Sequence, residues 1–441
     1  MNTDDRLPIV LVVLDGLGDR CSVELDGQTP CEAATTPALD RLAALGASGV
    51  HLPFGPGRAT SSETAHWSLF GFESVPFPGR AALEALGVGL DPPLGTPLFH
   101  FALRTGEVRN GALYLGERAR RGLDEADAAA LFAALDGRRE DGVTFRQYPL
   151  RTGECVLVAE GAPSCDVSDS DALFDHIHPW MRPQALADAK DAVAAASFAR
   201  TLERWLRGGR EILRQHPINA ERQARGVPVL DVPVTKWASL IDPAMPSFAR
   251  QVGINGAAVT DTALYRGLAK ILQMQTVNVN YDAHAPRADM LARLEAAARL
   301  IDHADFVHVH VKATDEAGHT KRPIFKRDII EATAAGLEPL IALSERAVVA
   351  VTGDHATPSI GRLLHSGDPT PFVVAGPGIG PDGVQQFGEC YAMAGSCGRL
   401  LAADILPLLI GFANRPFFRG HRPGPWASAA LPNTPEPMPL D

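Results

Sequence analysis

The chain has 441 residues, 46% hydrophobic and 21% charged, a size and balance that allow two or three domains with ample core. Its net charge of −11 argues against a general binder of nucleic acid or anionic membrane, so an anionic substrate would need a local basic cluster working against the overall field. The start MNTDDRLP lacks the basic region of a secretory signal, no apolar run reaches the roughly 20 residues that span a bilayer, and the six cysteines form no Cys-x-x-Cys pair. Reduced thiols and a cytoplasmic setting are expected.

Residues 8–14 (PIVLVVL) are a continuous apolar, β-branched run, the pattern of a central strand buried on both faces. The run ends in Asp15-Gly16-Leu17-Gly18-Asp19. A carboxylate at the C-terminal end of the first parallel strand sits where open α/β sheets place ligands; a helix cap or turn aspartate is the plain alternative. Residues 36–45 predict a helix with Pro37 in its first turn. In GPGRATSSETAHWSLFG (residues 55–71) a Gly/Pro loop runs into a short helix over 63–70, which Thr60 with Glu63, or Ser62 alone, could cap. A hydroxyl there meets the positive end of the helix dipole and unpaired N–H groups, a seat for a phosphate or an alkoxide. Arg80 opens the next helix, either as a surface ion-pair partner or as an anion clamp.

From about residue 97 the texture changes. Strand-like runs at 99–103, 112–115, 143–148 and 155–159 surround a helix at 125–135, which predicts an inserted α+β domain over residues 97–183. Residues 181–215, rich in Ala and Arg at helical spacing, read as a helical connection back to the main sheet, broken near Gly208-Gly209. Strand and helix then alternate again: strands at 227–234, 256–259, 276–279 and 305–312, helices at 263–272 and 288–300. In DFVHVHVK, His308, His310 and Lys312 share one face, the two histidines packed inside the sheet. Asp315 and His319 follow, four apart with Gly318 between them, able to converge on one metal from a single turn or to be a capped helix start. A strand at 347–351 ends in Gly353-Asp354-His355, with His365 ten residues beyond. A strand at 371–375 and a helix at 400–411 close the main domain, and the Pro-rich tail from 420 to 441 is expected to be poorly ordered.

Three strand tips thus present Asp15, Asp315 with His319, and Asp354 with His355 and His365, while Ser62 lies at a helix start. In a parallel sheet those tips share one edge. So many carboxylates and imidazoles suit two divalent metals, and a two-metal centre (ions about 3.5–4 Å apart) activates a hydroxyl and stabilises in-line phosphoryl transfer.

The motifs LDGLGD, SSETAHWSLFG, GRAALEALGVG, VKATDEAGH and TGDHATP with HSGDP, together with HPINAERQARGVP, resemble in order the archaeal-type cofactor-independent phosphoglycerate mutases of the alkaline phosphatase superfamily, over most of the chain. The resemblance implies an α/β fold: an alkaline-phosphatase-like parallel-sheet core with helices on both faces (residues 1–96 and 184–419) and a smaller inserted α+β domain (97–183) that closes over substrate. It also implies that Asp315, His319 and His365 hold one metal, and that Asp15, Ser62, Asp354 and His355 hold the other. Ser62 would take the phosphoryl group as phosphoserine and return it to a different hydroxyl of the retained glycerate, without 2,3-bisphosphoglycerate. Mn²⁺, or else Zn²⁺, suits mixed Asp/His ligation.

The departures from the family pattern fall in the insert, near the domain junction, near Asn278 to Asp282, and after His319, where Thr320-Lys321-Arg322 stands in place of Asp-Gly. Thr152-Gly153-Glu154-Cys155 replaces the family's Thr-Gly-His-Arg, Ser168-Asp169-Ser170-Asp171-Ala172-Leu173 replaces Ser-Asp-x-Asp-Pro-His, and Lys236-Trp237-Ala238-Ser239 replaces Arg-Gly-Ala-Gly. The half that handles phosphate is kept and the half that recognises glycerate is altered. Arg80, Arg151, Lys312, Lys321 and Arg322 are the candidate replacements for the anion grip. The expected substrate is phosphoglycerate or a related small phosphorylated or phosphonate acid. A phosphatase is the alternative should the altered insert admit water.

Overall fold

The computed structural model describes residues 5–172, 178–280, 282–415, 417–419, 428–430 and 437–440. The apolar run near the N-terminus forms β1 (Ile9–Leu14), every residue of it buried. After it come α1 (Pro30–Ala33), α2 (Pro37–Leu45), β2 (Ala47–His51) and α3 (Ser62–Leu69). The middle of the chain forms α4 (Arg80–Gly87), β3 (Leu98–Arg109), β4 (Ala112–Arg118), α5 (Glu125–Ala133), β5 (Arg138–Glu140), β6 (Val143–Arg151), β7 (Glu154–Glu160), α6 (Ala192–Gln215), α7 (Pro217–Ala224) and β8 (Val232–Ser239). The remainder runs α8 (Phe248–Val252), β9 (Gly256–Thr260), α9 (Ala263–Ile271), β10 (Gln275–Asn278), α10 (Pro286–Leu300), β11 (Phe306–Val311), α11 (Ala313–His319), α12 (Pro323–Ala334), α13 (Pro339–Leu343), β12 (Val348–Thr352), β13 (Thr370–Ala375), α14 (Glu389–Ala392), β14 (Gly398–Leu400) and α15 (Ala402–Phe412). Two compact units result: residues 1–77 with 246–441, and residues 78–245.

The first unit is an eight-stranded sheet in the order β10-β9-β11-β1-β12-β13-β2-β14. Residues of α2, α10, α12 and α13 (Leu39, Met290, Leu294, Ile330, Leu340) pack one face of β1, β11 and β12 into a single apolar core. β1 lies parallel to both β11 and β12, with Leu14 opposite Val311 and Val13 opposite Thr352, so the three strands end level with one another. The sheet is mixed rather than purely parallel, because β13 runs antiparallel to both β12 and β2. Residues 353–369, which join β12 to β13, contain no helix to carry a parallel crossover, and the chain returns antiparallel.

The second unit is larger than the 97–183 segment expected from sequence. It starts at Pro78 and ends at Met245 because α4, α6 and β8 belong to it. β8, expected to resume the main sheet, pairs antiparallel with β3 instead. α6 presents Phe198, Leu202, Trp205, Leu206 and Leu213 to the core formed with Phe101, Phe145 and Leu157. That helix is unbroken at Gly208-Gly209. Gly208 leaves space for Arg138, whose guanidinium donates to the Trp205 carbonyl at 2.5 Å. The Pro-rich tail expected from residue 420 lies almost wholly outside the described residues, and so does Leu173.

No helix among the described residues is long and apolar enough to cross a membrane. All six cysteines are free thiols.

Candidate active site

The level ends of β1, β11 and β12 place three loops side by side, and the expected ligands occupy them. Asp15 follows β1, is fully buried, and its N–H donates to the Val311 carbonyl at 2.9 Å. Asp315 and His319 sit in the first and last turns of α11, and their spacing of four puts them on one helix face, His319 Nε2 3.1 Å from Asp315 Oδ1. Asp354 and His355 follow β12, and His365 lies further along the same β12–β13 connection with its ring stacked on His355 at 3.8 Å between centroids. Two sets of side chains among the described residues bring their donor atoms within 4.8 Å of one another: Asp315, His319 and His365, and Asp15, Asp354 and His355.

Ser62 is not a helix cap. The N-cap is Ser61, which makes no side-chain capping bond, and Ser62 is the first helical residue. Freed from capping, its Oγ lies 3.2 Å from Asp15 Oδ1 and 2.9 Å from His355 Nε2. Lys312 spans the two ligand sets, donating to Asp15 Oδ2 at 2.9 Å and pairing with Asp315 Oδ2 at 2.5 Å. His308 and His310 are buried in the sheet as expected, and His310 Nε2 also donates to Asp15 Oδ2 at 2.9 Å.

The electrostatics ask for cations. Burial works against ionisation of Asp15, but Lys312 and the His310 hydrogen bond hold it well below the usual carboxylate range. Asp354 goes the other way: burial and the neighbouring Asp15 charge push it well above its ordinary value. Its Oδ1 accepts from the N–H groups of Gly16 (2.8 Å) and His355 (3.0 Å), whereas its buried Oδ2 has no hydrogen-bond partner. A buried carboxylate oxygen without a donor, beside a second carboxylate and an imidazole, is the donor set of a divalent metal. Burial, with the neighbouring His365, also lowers the His355 imidazole to about 3, so the ring is neutral and can act as a ligand. His365 Nδ1 donates to the Thr60 carbonyl at 2.7 Å, which leaves Nε2 as the ligating nitrogen.

A matching family model, the metalloenzyme superfamily, covers residues 7–406. The 2,3-bisphosphoglycerate-independent phosphoglycerate mutase of Pyrococcus furiosus is 34% identical over 417 residues, 92% of this chain and 97% of the relative. That of Thermoplasma volcanium is 35% identical over 419 residues, 93% of this chain and 98% of the relative. The chain belongs to the cofactor-independent phosphoglycerate mutase family. The solved mutase of Thermoplasma acidophilum superimposes with a TM-score of 0.59 at 29% identity, covering 92% of this chain and 99% of that one. A Pyrococcus horikoshii protein of solved structure gives 0.73 at 29% identity, over 93% and 98%.

Of the basic residues raised as an anion grip, Arg80 and Arg151 belong to the second unit. Arg80 donates to Glu84 Oε1 at 2.9 Å and lies over the Trp237 indole at 4.3 Å. Arg151 pairs with Glu154 Oε2 at 2.5 Å, and Arg118 and His100 approach the same carboxylate at 3.7 and 3.6 Å. Lys321 is committed elsewhere: its ammonium donates to the carbonyls of Pro358 and Leu363, both at 2.6 Å. Arg322, at the N-cap of α12, lies over the Phe325 ring.

Two further residues stand out in the structure, Trp237, noted from sequence only as a departure, and Lys326, which sequence reasoning missed. Trp237, standing where the family shows Gly, keeps a left-handed backbone (φ +56°) that costs a bulky residue about 1–3 kcal/mol. Lys236 Nζ lies 4.6 Å from the same indole, and burial, with the nearby Arg118, lowers the Lys236 ammonium to about 8. Lys326 is fully buried and donates to the carbonyls of Gly16 (2.9 Å), Gly18 (3.0 Å) and Thr357 (2.9 Å) while pairing with Asp19 at 3.0 Å. It pins the Asp15 and Asp354 loops together. The Trp at a family glycine was a legible signal; nothing in KRPIFKRDII marks Lys326 as buried.

Proposed function

We propose that the protein is a metal-dependent phosphomutase that interconverts 2- and 3-phosphoglycerate through a phosphoserine at Ser62. The observation that carries this reading is Ser62 Oγ, released from capping and held between Asp15 and His355 in a buried site where Asp354 Oδ2 has no hydrogen-bond donor. Asp315, His319 and His365 would hold one divalent ion, and Asp15, Ser62, Asp354 and His355 a second; Mn²⁺ is the first choice and Zn²⁺ the next. When bound, the ions supply positive charge that favours the serine alkoxide and offsets the charge on the transferring phosphoryl oxygens.

The chain's own groups do the rest. Ser62 Oγ attacks phosphorus and loses its proton as the Oγ–P bond forms; the bond from phosphorus to the glycerate oxygen breaks, and that oxygen takes up a proton. The glycerate then presents its other hydroxyl, which attacks the phosphoserine in the reverse of the first step and frees Ser62. Lys312, whose charge Asp15 and Asp315 stabilise against the cost of burial, steadies both carboxylates. Arg322 is assigned to the acid end of the substrate, and water must be kept out between the two steps. Lys321 acts as a strut, because its ammonium is occupied. No 2,3-bisphosphoglycerate takes part, the partner is a small phosphorylated acid rather than nucleic acid or membrane, and the setting is cytoplasmic, in keeping with the acidic charge.

The test is purified, Mn²⁺-loaded protein with 3-phosphoglycerate, following 2-phosphoglycerate and free phosphate separately, with Ser62→Ala as control. Isomer without phosphate, lost by about 10⁴-fold or more in the variant, is expected. Phosphate alone would make the protein a phosphatase. Neither product would turn the search to phosphonate acids.

A further inference from the structure

A fourth strand tip brings one more hydroxyl to the nucleophile. β9 lies parallel to β11, with Val259 opposite Val309, and its chain turns at once into α9. Thr262 caps that helix by accepting from the Tyr265 N–H at 3.4 Å, which sets Tyr265 in the first turn with its side chain buried. Two imidazoles grip the ring. His310 stacks on it at 3.5 Å between centroids, and His66 meets it edge-on at 4.6 Å. His66 is tied in turn to the helix of the nucleophile, its Nδ1 donating to the Ser62 carbonyl at 2.8 Å.

So held, the ring aims its hydroxyl at the site. The phenol oxygen lies 3.2 Å from His66 Nδ1 and 3.4 Å from Asp15 Oδ2, and the Ser62 side chain lies within its hydrogen-bonding reach. A carbonyl can only accept, so His66 Nδ1 carries a hydrogen and cannot take the phenol's proton. The carboxylate that can take it is far for such a bond, since O–H···O contacts cluster near 2.7–2.8 Å. Asp15 Oδ2 also has closer donors in Lys312 and His310, both at 2.9 Å. A buried hydroxyl served this loosely is costly, and a phenylalanine would fill the same seat with nothing polar to satisfy. A phosphoryl group on Ser62 changes that balance, because it brings charged oxygens up to a donor already in place.

We propose that Tyr265 is a further catalytic residue, whose hydroxyl donates a hydrogen bond to the phosphoryl group as that group passes onto Ser62 and while it stays there. The phenol, with an ordinary pKa near 10, keeps its proton throughout, so no bond to tyrosine forms or breaks. The inference rests on Ser62 as the acceptor of the group, and not on which molecule supplies or removes it.

The experiment titrates Mn²⁺-saturated full-length protein with orthovanadate, a mimic of the phosphoryl group in transfer, by calorimetry on the parent, Tyr265→Phe and Ser62→Ala. Tyr265→Phe keeps the ring and both imidazole contacts. It is expected to bind vanadate about 10–100-fold more weakly than the parent, the range for a hydrogen bond to a charged acceptor, and to bind Mn²⁺ within about threefold, which also shows that it folds. The parent supplies a reading that needs no variant: with fluorotyrosine at its five tyrosines, vanadate should move a fluorine signal. No signal moving would overturn the proposal. So would vanadate binding by Tyr265→Phe within twofold of the parent while Ser62→Ala binds it more weakly, a result that leaves the serine reading intact. Mn²⁺ affinity falling as far as vanadate affinity would make Tyr265 a support of the ion site and overturn it too. Parent and Ser62→Ala binding vanadate alike would overturn both readings. Failure to isomerise 3-phosphoglycerate bears on the mutase reading alone, because no turnover is measured here.

Discussion

Replacing Asp354 by Asn should move stability and metal affinity in opposite directions. The amide oxygen keeps the two main-chain donors that now reach Oδ1, Gly16 N–H at 2.8 Å and His355 N–H at 3.0 Å. What changes is the other oxygen, buried and without a donor beside Asp15. Leaving such a group unsatisfied costs about 1–3 kcal/mol, so the metal-free variant should be more stable by that order, a rise of roughly 2–6 °C in melting temperature. Metal reverses the ranking. At a hundred times Kd, Mn²⁺ stabilises the parent by about 2.7 kcal/mol; a site weakened ~100-fold keeps only about 0.4 kcal/mol at the same concentration. Thermal scans in chelator and in Mn²⁺, on parent and Asp354→Asn, read both effects. A metal-free variant that melts below the parent, or one that keeps the full Mn²⁺ shift, would refute the reasoning.

Glu389 gives a pH prediction. Burial raises its carboxyl from 4.5 to about 7 even though Thr29 Oγ1 donates to it at 2.6 Å. The folded state therefore binds the proton more tightly than the unfolded state does. Stability from this group is complete below about pH 4.5 and is lost as pH rises through about 7, a span of about 3 kcal/mol that Glu389→Gln should remove from urea midpoints compared at pH 5 and pH 8. Lys326→Met strips the cation from buried Asp19 and should destabilise by about 3–5 kcal/mol in denaturant melts; adding Asp19→Asn should recover a large part of that loss. Gly16→Ala forces a Cβ to within 2.4 Å of Thr357 Oγ1 at φ +63°, and calorimetry should find Mn²⁺ binding weakened at least tenfold. Trp205→Ala empties the middle of the second unit's core and should cost about 3–5 kcal/mol, read as loss of the unit's near-ultraviolet signal at lower urea.

Asp15 and Asp354 were legible because each stands just past an apolar strand, and Asp315 because it lies four residues from His319 beyond a strand interrupted by His308 and His310. Parallel pairing levels the three tips without further information. Ser62 was legible as a helix start, though not as a hydroxyl spared from capping, since Ser61 and Ser62 are chemically equal until the backbone chooses between them. The direction of β13 was not legible, because PFVVA reads alike in a parallel or antiparallel neighbour. The destination of β8 was hidden for a related reason: its alternation suits either sheet, and only the fit to β3 decides. Lys326 lies beyond local reading altogether. Lys326 looks like a surface helix residue, and the carbonyls of Gly16 and Gly18 that take its protons lie more than three hundred positions away in the chain.

The place of β1 in the sheet also sets a timetable for synthesis. Its parallel partners are β11, with Ile9 beside Phe306, and β12, with Ile9 beside Val348. At about 5–20 residues per second, a ribosome needs roughly 15–60 s to travel from β1 to β11. For that interval the nascent chain carries a six-residue, wholly apolar strand whose hydrogen-bonding partners do not yet exist, while the 78–245 unit has all of its own strands in hand. Chaperone demand should therefore concentrate on the first strand rather than on the larger mass of chain that follows it. Asp15 and Ser62 emerge early, whereas Asp354, His355 and His365 come only in the last quarter of the polypeptide.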